Sequence, residues 1–158
     1  MSEHDSRAIA NVFVQRAKDA GRLLTIMPLV KFVYFAHGWT LGHTGEALIK
    51  HDVEAWVYGP VVREVYEAFR SQGVIISDFA LDDSGKEYKT ELHDIPKQIV
   101  DSVYKEYSVL PTWRLSNITH RSDSPWSKYR GMCYSKIPND EIKDYYKKLV
   151  DKMKESDG

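Results

Sequence analysis

Leu29-Val-Lys-Phe-Val-Tyr-Phe-Ala-His-Gly-Trp39 carries one charged side chain, Lys31, and is otherwise apolar, aromatic or small apart from His37. The reading of this stretch decides the fold. Continued to Leu41, it is apolar nearly all round a helical wheel, with Lys31 and Gly38 in one sector and Val30, Val33, His37 and Leu41 in another. A helix that is greasy on most sides is packed by neighbours on several faces and belongs at the centre of a domain. Its start is marked by Thr25, with Pro28 in the first turn where a missing N–H costs nothing. Gly42 and Gly45 are expected to end it. Gly38 inside a helix costs about 1 kcal/mol relative to Ala, which predicts close approach of another backbone there.

Upstream, Ser6 reads as the N-cap of a helix, Ile9, Val12, Phe13, Ala17 and Ala20 recur at helical spacing, and Gly21 supplies a left-handed stop. Downstream, Val53, Ala55 and Val57 alternate with Glu54, Trp56 and Tyr58, which is the period of a strand. Leu48 and Ile49 are its expected partner. Gly59-Pro60 reads as a strand break followed by a helix start, with Val62, Val65, Tyr66 and Phe69 inward and Gly73 as terminator. Val74-Ile75-Ile76 is a candidate strand and Asp82-Asp83-Ser84-Gly85 a turn. Further helices are expected after Pro96 (Ile99, Val100, Val103, Tyr104, Tyr107), from Pro111-Thr112, from Ser124-Pro125, and after Pro138 (Ile142, Tyr145, Tyr146, Leu149, Met153). The fold class is therefore mainly α (α+β): a compact multi-helix domain with a small β-hairpin or short sheet around residues 47–58. One domain spanning residues 1–158, with its core at about 6–153, accounts for the pattern.

Composition narrows the function. The 158 residues are 42% hydrophobic and 28% charged, with a formal net charge of -1. A non-specific nucleic-acid binder needs excess cations to release counterions from phosphates, so this balance argues against nucleic acid, although net charge says nothing about local patches. No apolar run approaches the ~20 residues needed to span a bilayer. The polar N-terminus lacks the apolar core of a signal peptide, and a lone cysteine, Cys133, allows no internal disulfide. The expectation is a cytoplasmic protein with no membrane partner.

No catalytic set emerges. The histidines His4, His37, His43, His51, His93 and His120 include no pair at the spacing that puts two imidazoles on one metal. His37 lies on the apolar arc of its helix and reads as a buried, hydrogen-bonded structural group. His120 falls where a helix should end and reads as a helix-end group or a partner contact. Cys133 has no nucleophile motif around it and reads as a small packed thiol. Asp82-Asp83 and Asp140-Glu141 read as solvated acids, and Gly42-His-Thr-Gly45 is not a phosphate loop. No metal or cofactor is expected. Trp56 and Tyr58 are different: both bury large area with few rotors, so they serve either to finish the core or to anchor an interface.

Taken in order, Asn11-Val-Phe-Val14, Leu29 to Trp39, Glu54-Ala-Trp-Val-Tyr-Gly-Pro-Val-Val62, Leu115-Ser-Asn-Ile-Thr-His120, Ser124-Pro-Trp126 and Ile137-Pro138 with Ile142 resemble the Panacea domain family, the phage-associated or SocA-like proteins. Phe32-Val33 stands where Leu-Leu is usual. The resemblance makes Tyr34, Gly38, Trp39, Gly59, Pro60, Thr119 and Pro125 signature residues. It implies an antitoxin, active in bacteria and prophages, that neutralises a cognate protein toxin by direct binding, and not an enzyme. The partner face is expected near Trp56, Tyr58, His120 and Trp126. The resemblance also implies an alternative, a proteolytic adaptor that delivers a bound toxin to a AAA+ protease. A hydrolase or metalloenzyme built on His37, His43, His120 or Cys133 is a further alternative, and none of these residues has the spacing it needs.

Overall fold

In the computed structural model, which describes residues 3–157, the helix read from Leu29 is the axis of the molecule. It is α2 (Ile26–Thr44), following α1 (Ser6–Ala20). After it come β1 (Val53–Trp56), β2 (Gly59–Val61), α3 (Arg63–Phe69) with a 3₁₀ turn Arg70–Gln72, α4 (Asp94–Tyr107), α5 (Thr112–Thr119), α6 (Pro125–Lys128), β3 (Ser135–Ile137) and α7 (Asn139–Asp157). The protein is thus mainly helical with a small three-stranded antiparallel sheet, as expected. Among the described residues no helix is long and apolar enough to cross a membrane.

α2 is packed by α1, α3, α4, α5, α7 and β2, which explains why it is apolar on nearly every side. Leu29, Val30, Val33, Phe35 and Ala36 are fully buried. α7 lies closest. A Cβ on Gly42 would stand 2.7 Å from the backbone of Tyr146, and one on Gly38 would clash with the Tyr146 ring. The close approach expected at Gly38 is therefore to a ring, and the backbone approach occurs one turn later at Gly42, which lies inside the helix and does not end it. Gly45, at φ +77°, provides the left-handed stop. His37 is wholly buried beneath this junction. Its Nδ1 accepts from the Ile49 N–H at 3.4 Å, which leaves Nε2 to donate to Asn139 Oδ1 at 2.9 Å. Burial pushes the His37 imidazole down to about 4.

The sheet departs from expectation in its pairing. β1 pairs with β2 (Glu54 opposite Val61, Ala55 opposite Pro60, Trp56 opposite Gly59) and with β3 on its other side. Leu48 and Ile49 do not form the partner strand, and Ile49 makes only a bridge to His4. Pro60 does not open a helix: β2 is an edge strand, where a proline's missing N–H breaks no ladder. Val57 leaves the inward face of the strand because the chain turns at residues 57 and 58.

Other boundaries also move. The cap of α1 is Asp5, whose carboxylate accepts from the Arg7 N–H at 2.9 Å, while Ser6 is buried with its hydroxyl on His51. Ala20 and Met153 are exposed at helix ends. Val74 and Ile75 form no strand beyond a bridge from Ile75 to Thr25, and the turn at Asp82 is present, its carboxylate accepting from the N–H groups of Ser84 and Lys86. Cys133, in the loop between α6 and β3, is exposed and not packed.

Candidate functional site

Of the signature residues, Gly59, Pro60 and Thr119 meet at the turn between β1 and β2. Lys31 has no solvent exposure, and among the described residues it forms no ion pair. Its ammonium donates to the Tyr58 carbonyl at 2.8 Å. Burial without a counter-charge pushes it down to about 8. Two residues earlier, the Trp56 carbonyl accepts from Trp126 Nε1 at 2.7 Å. Both polar groups of the turn that would otherwise point into the protein are thereby satisfied.

Gly59 closes the arrangement. Its φ of +120° is open only to glycine, and a Cβ there would lie 2.9 Å from Lys31 Nζ, 3.0 Å from Thr119 Oγ1 and 3.2 Å from His120 Nε2. Thr119 is buried, its hydroxyl donating to the Ser116 carbonyl at 2.9 Å. His120 is the C-cap of α5, and its ring stacks on Trp126 with centroids 4.1 Å apart and planes 12° off parallel. Its Nε2 is sealed from solvent and makes no hydrogen bond. Burial lowers the His120 pKa, and the charges of Lys31 and Arg130 add to that against the pull of the Tyr58 carbonyl, whose hydrogen bond goes to Lys31.

Pinned from beneath, the turn pushes Val57 and Tyr58 outward at 67% and 68% exposure. Beside it, Tyr134 donates its N–H to the Ala55 carbonyl and is held at φ +64°, a region costly for a residue with a Cβ. That conformation sets its ring edge-on to Trp56 at 5.3 Å. Arg63 lies over both rings and pairs with Glu54 at 2.9 Å, while Glu54 also accepts from Trp56 Nε1. Met132 and Tyr134 are each 56% exposed.

The residues singled out from sequence are brought together, but they divide into support and surface. Trp126 is buried and Trp56 half-buried; His120 lies with them under the turn, and Tyr58 alone of the four projects. Lys31, Val57 and Tyr134 were missed. A single lysine in an otherwise apolar helix was the available signal for Lys31. Of the remaining signature residues, Tyr34 and Trp39 both pack edge-on against Tyr146, Gly38 lies against the same ring, and Pro125 begins α6. Among the described residues no group of three or more His, Cys, Asp or Glu is placed to hold a metal ion.

The geometry is that of a small helical domain presenting a rigid, aromatic hairpin tip. The family model described as Antitoxin SocA-like, Panacea domain matches residues 29–127, and the chain belongs to that family. Antitoxin SocA of Caulobacter vibrioides (strain NA1000 / CB15N) is 38% identical over 69 residues, which cover 44% of this chain and 37% of the length of that relative. No solved structure matches the chain.

Proposed function

We propose that the protein is an antitoxin that neutralises a cognate toxin by direct protein–protein binding, with the hairpin tip as the docking point. Family membership supports the antitoxin role. The observation that carries the choice of surface is the turn at Val57 and Tyr58: two large side chains are held in solvent by a backbone pinned at the Trp56 and Tyr58 carbonyls. A preorganised anchor loses little freedom on binding, and aromatic anchors of this kind dominate interface energetics. In this reading the protein acts stoichiometrically in the cytoplasm and performs no chemistry. Co-expression with the cognate toxin tests it: growth is restored and the two proteins co-purify, whereas neither occurs if the reading is wrong.

A second reading, delivery of the bound toxin to a AAA+ protease, draws support from the end of α7, where residues 151–156 are all exposed, away from the hairpin tip. Toxin half-life in cells separates the two. Unchanged turnover in the presence of this protein means masking, and accelerated turnover means delivery.

A further inference from the structure

Helices α4 and α7 both pack on α2 yet hardly meet each other. Two adjoining cavities of about 880 and 480 Å³ lie between them and share Trp39, Tyr107 and Met153. The floor is firm. Trp39 Nε1 donates to the Tyr107 hydroxyl at 3.0 Å, and Tyr107 stacks on Phe35 with centroids 4.1 Å apart. One wall is the stripe Ile95, Ile99 and Val103 of α4, at helical spacing, and Met153 stands opposite on α7. Ile95 and Met153 are 46% and 51% exposed, so the apolar lining reaches the surface. At the end next to α5 the groove is lined by Arg121 and Lys152, neither of which forms an ion pair among the described residues.

We propose that this groove receives an amphipathic helix of the cognate toxin, apolar towards Trp39 and Tyr107 and carrying carboxylates where it passes Arg121 and Lys152. The proposal rests on the antitoxin reading and extends its contact surface. Three observations select the occupant. The walls are helices whose backbone groups are already bonded, so a visiting chain must satisfy its own backbone, and a helix does so. The length of α4, about 21 Å at 1.5 Å per residue, offers room for several turns. The free cations at one end call for acidic residues there. A second copy of this chain is a poor donor, since its long amphipathic helices α1, α4 and α7 already turn their apolar faces to α2. The groove also adjoins the hairpin: Ile118 and Arg121 line it, while Thr119 and His120, between them in the chain at the end of α5, face the turn. One toxin can therefore cover both.

The test uses the full chain with its cognate toxin. Benzoylphenylalanine is placed at position 95 or 153, with position 15 on the outer face of α1 as control. Irradiation is expected to link positions 95 and 153, and not 15, to one helical segment of the toxin with acidic residues at one end. The double variant Arg121→Glu with Lys152→Glu is expected to weaken the complex at least tenfold without changing the melting temperature, and reversing the toxin's carboxylates to lysine to restore it. A stable complex with no links from 95 or 153, and an affinity unmoved by the charge reversal, overturns the groove while leaving the antitoxin reading intact. Absence of any complex overturns both. A free protein that is dimeric by light scattering, and is made monomeric by Met153→Glu, assigns the groove to self-association and also overturns the proposal.

Discussion

Replacing Lys31 by methionine is expected to remove a specific pH dependence of stability. In the unfolded chain this ammonium titrates near 10.5, and in the folded protein burial brings it down to about 8. The difference corresponds to about 3 kcal/mol of cost to the folded state at neutral pH, where the charge must be held without a partner anion. The sign follows from proton binding. Between those two values the unfolded chain holds the proton and the folded protein releases it, so stability rises with pH across that window. Below about 8 both states are charged and the cost is fully present. Wild type should therefore gain about 2 kcal/mol relative to Lys31→Met between about pH 7 and about pH 9.5. Other titrating groups are common to both proteins and cancel in the difference. The absolute effect at pH 7 is smaller, because methionine relieves the burial cost but leaves the Tyr58 carbonyl without its donor, a loss of about 1–3 kcal/mol. Urea unfolding at a series of pH values, read as midpoint and slope, measures the effect. Parallel pH profiles for the two proteins would refute the claim that an uncompensated ammonium sits beneath the hairpin.

Four further outcomes are expected. His37, held neutral down to about 4, should cost wild type about 3 kcal/mol of stability relative to His37→Gln as pH falls from about 6.5 to 4, because only the unfolded chain takes up the proton there; acid titration followed by near-UV dichroism checks it. Gly42→Ala gains about 1 kcal/mol of helix propensity but meets the Tyr146 backbone, and a net loss of about 1–2 kcal/mol should appear as a drop in melting temperature of several degrees. Tyr58→Ala should leave the melting temperature within a degree or two, yet weaken toxin binding by about 2 kcal/mol, roughly thirtyfold, in a calorimetric titration. Gly59→Ala should do the reverse in part, destabilising the fold and releasing the turn, visible as faster amide exchange at residues 57–60.

The parts of this structure legible in the sequence are those in which a local period meets a single packing face. α1, α4 and α7 announce themselves because apolar residues recur every three to four positions, α2 is marked instead by being apolar nearly all round, and Ser124-Pro125 marks α6 by capping chemistry that needs no distant partner. The sheet was harder. Gly-Pro after an apolar run suits a helix start as well as an edge strand, and only the placement of β1 between β2 and β3 decides for the strand. Ser135–Ile137 is too short to show alternation, so its role depends on pairing with residues some eighty positions earlier. At the site, Trp56 and Tyr58 were singled out as large aromatics, and His120 and Trp126 joined them through the family resemblance, but which of them faces outward was not written locally. Trp126 is buried because the carbonyl of Trp56 is there to receive its N–H. Lys31 stood out as the one charge in an apolar helix, yet its contact lies across the fold on Tyr58.

A buried ammonium with no anion is a poor means of gaining stability, since its burial costs more than one hydrogen bond returns. Its place here is understandable if what it secures is position. Lys31, Gly59, Thr119, His120 and Trp126 all fall within the residues 29–127 that define the family, and all lie beneath the turn. Tyr134, which packs beside the turn, and α7, which forms one wall of the groove, lie beyond that segment. The residues beneath the turn thus fix it from inside, while Val57 and Tyr58, which meet solvent, carry little of the packing. A turn fixed in this way tolerates changes at Val57 and Tyr58 without losing its shape, because nothing holding it in place depends on what projects. The expectation for partner choice is correspondingly sharp. Exchanging Val57 and Tyr58 should alter which toxin is bound at nearly constant melting temperature, and exchanging any of the residues beneath them should lower the melting temperature and binding together.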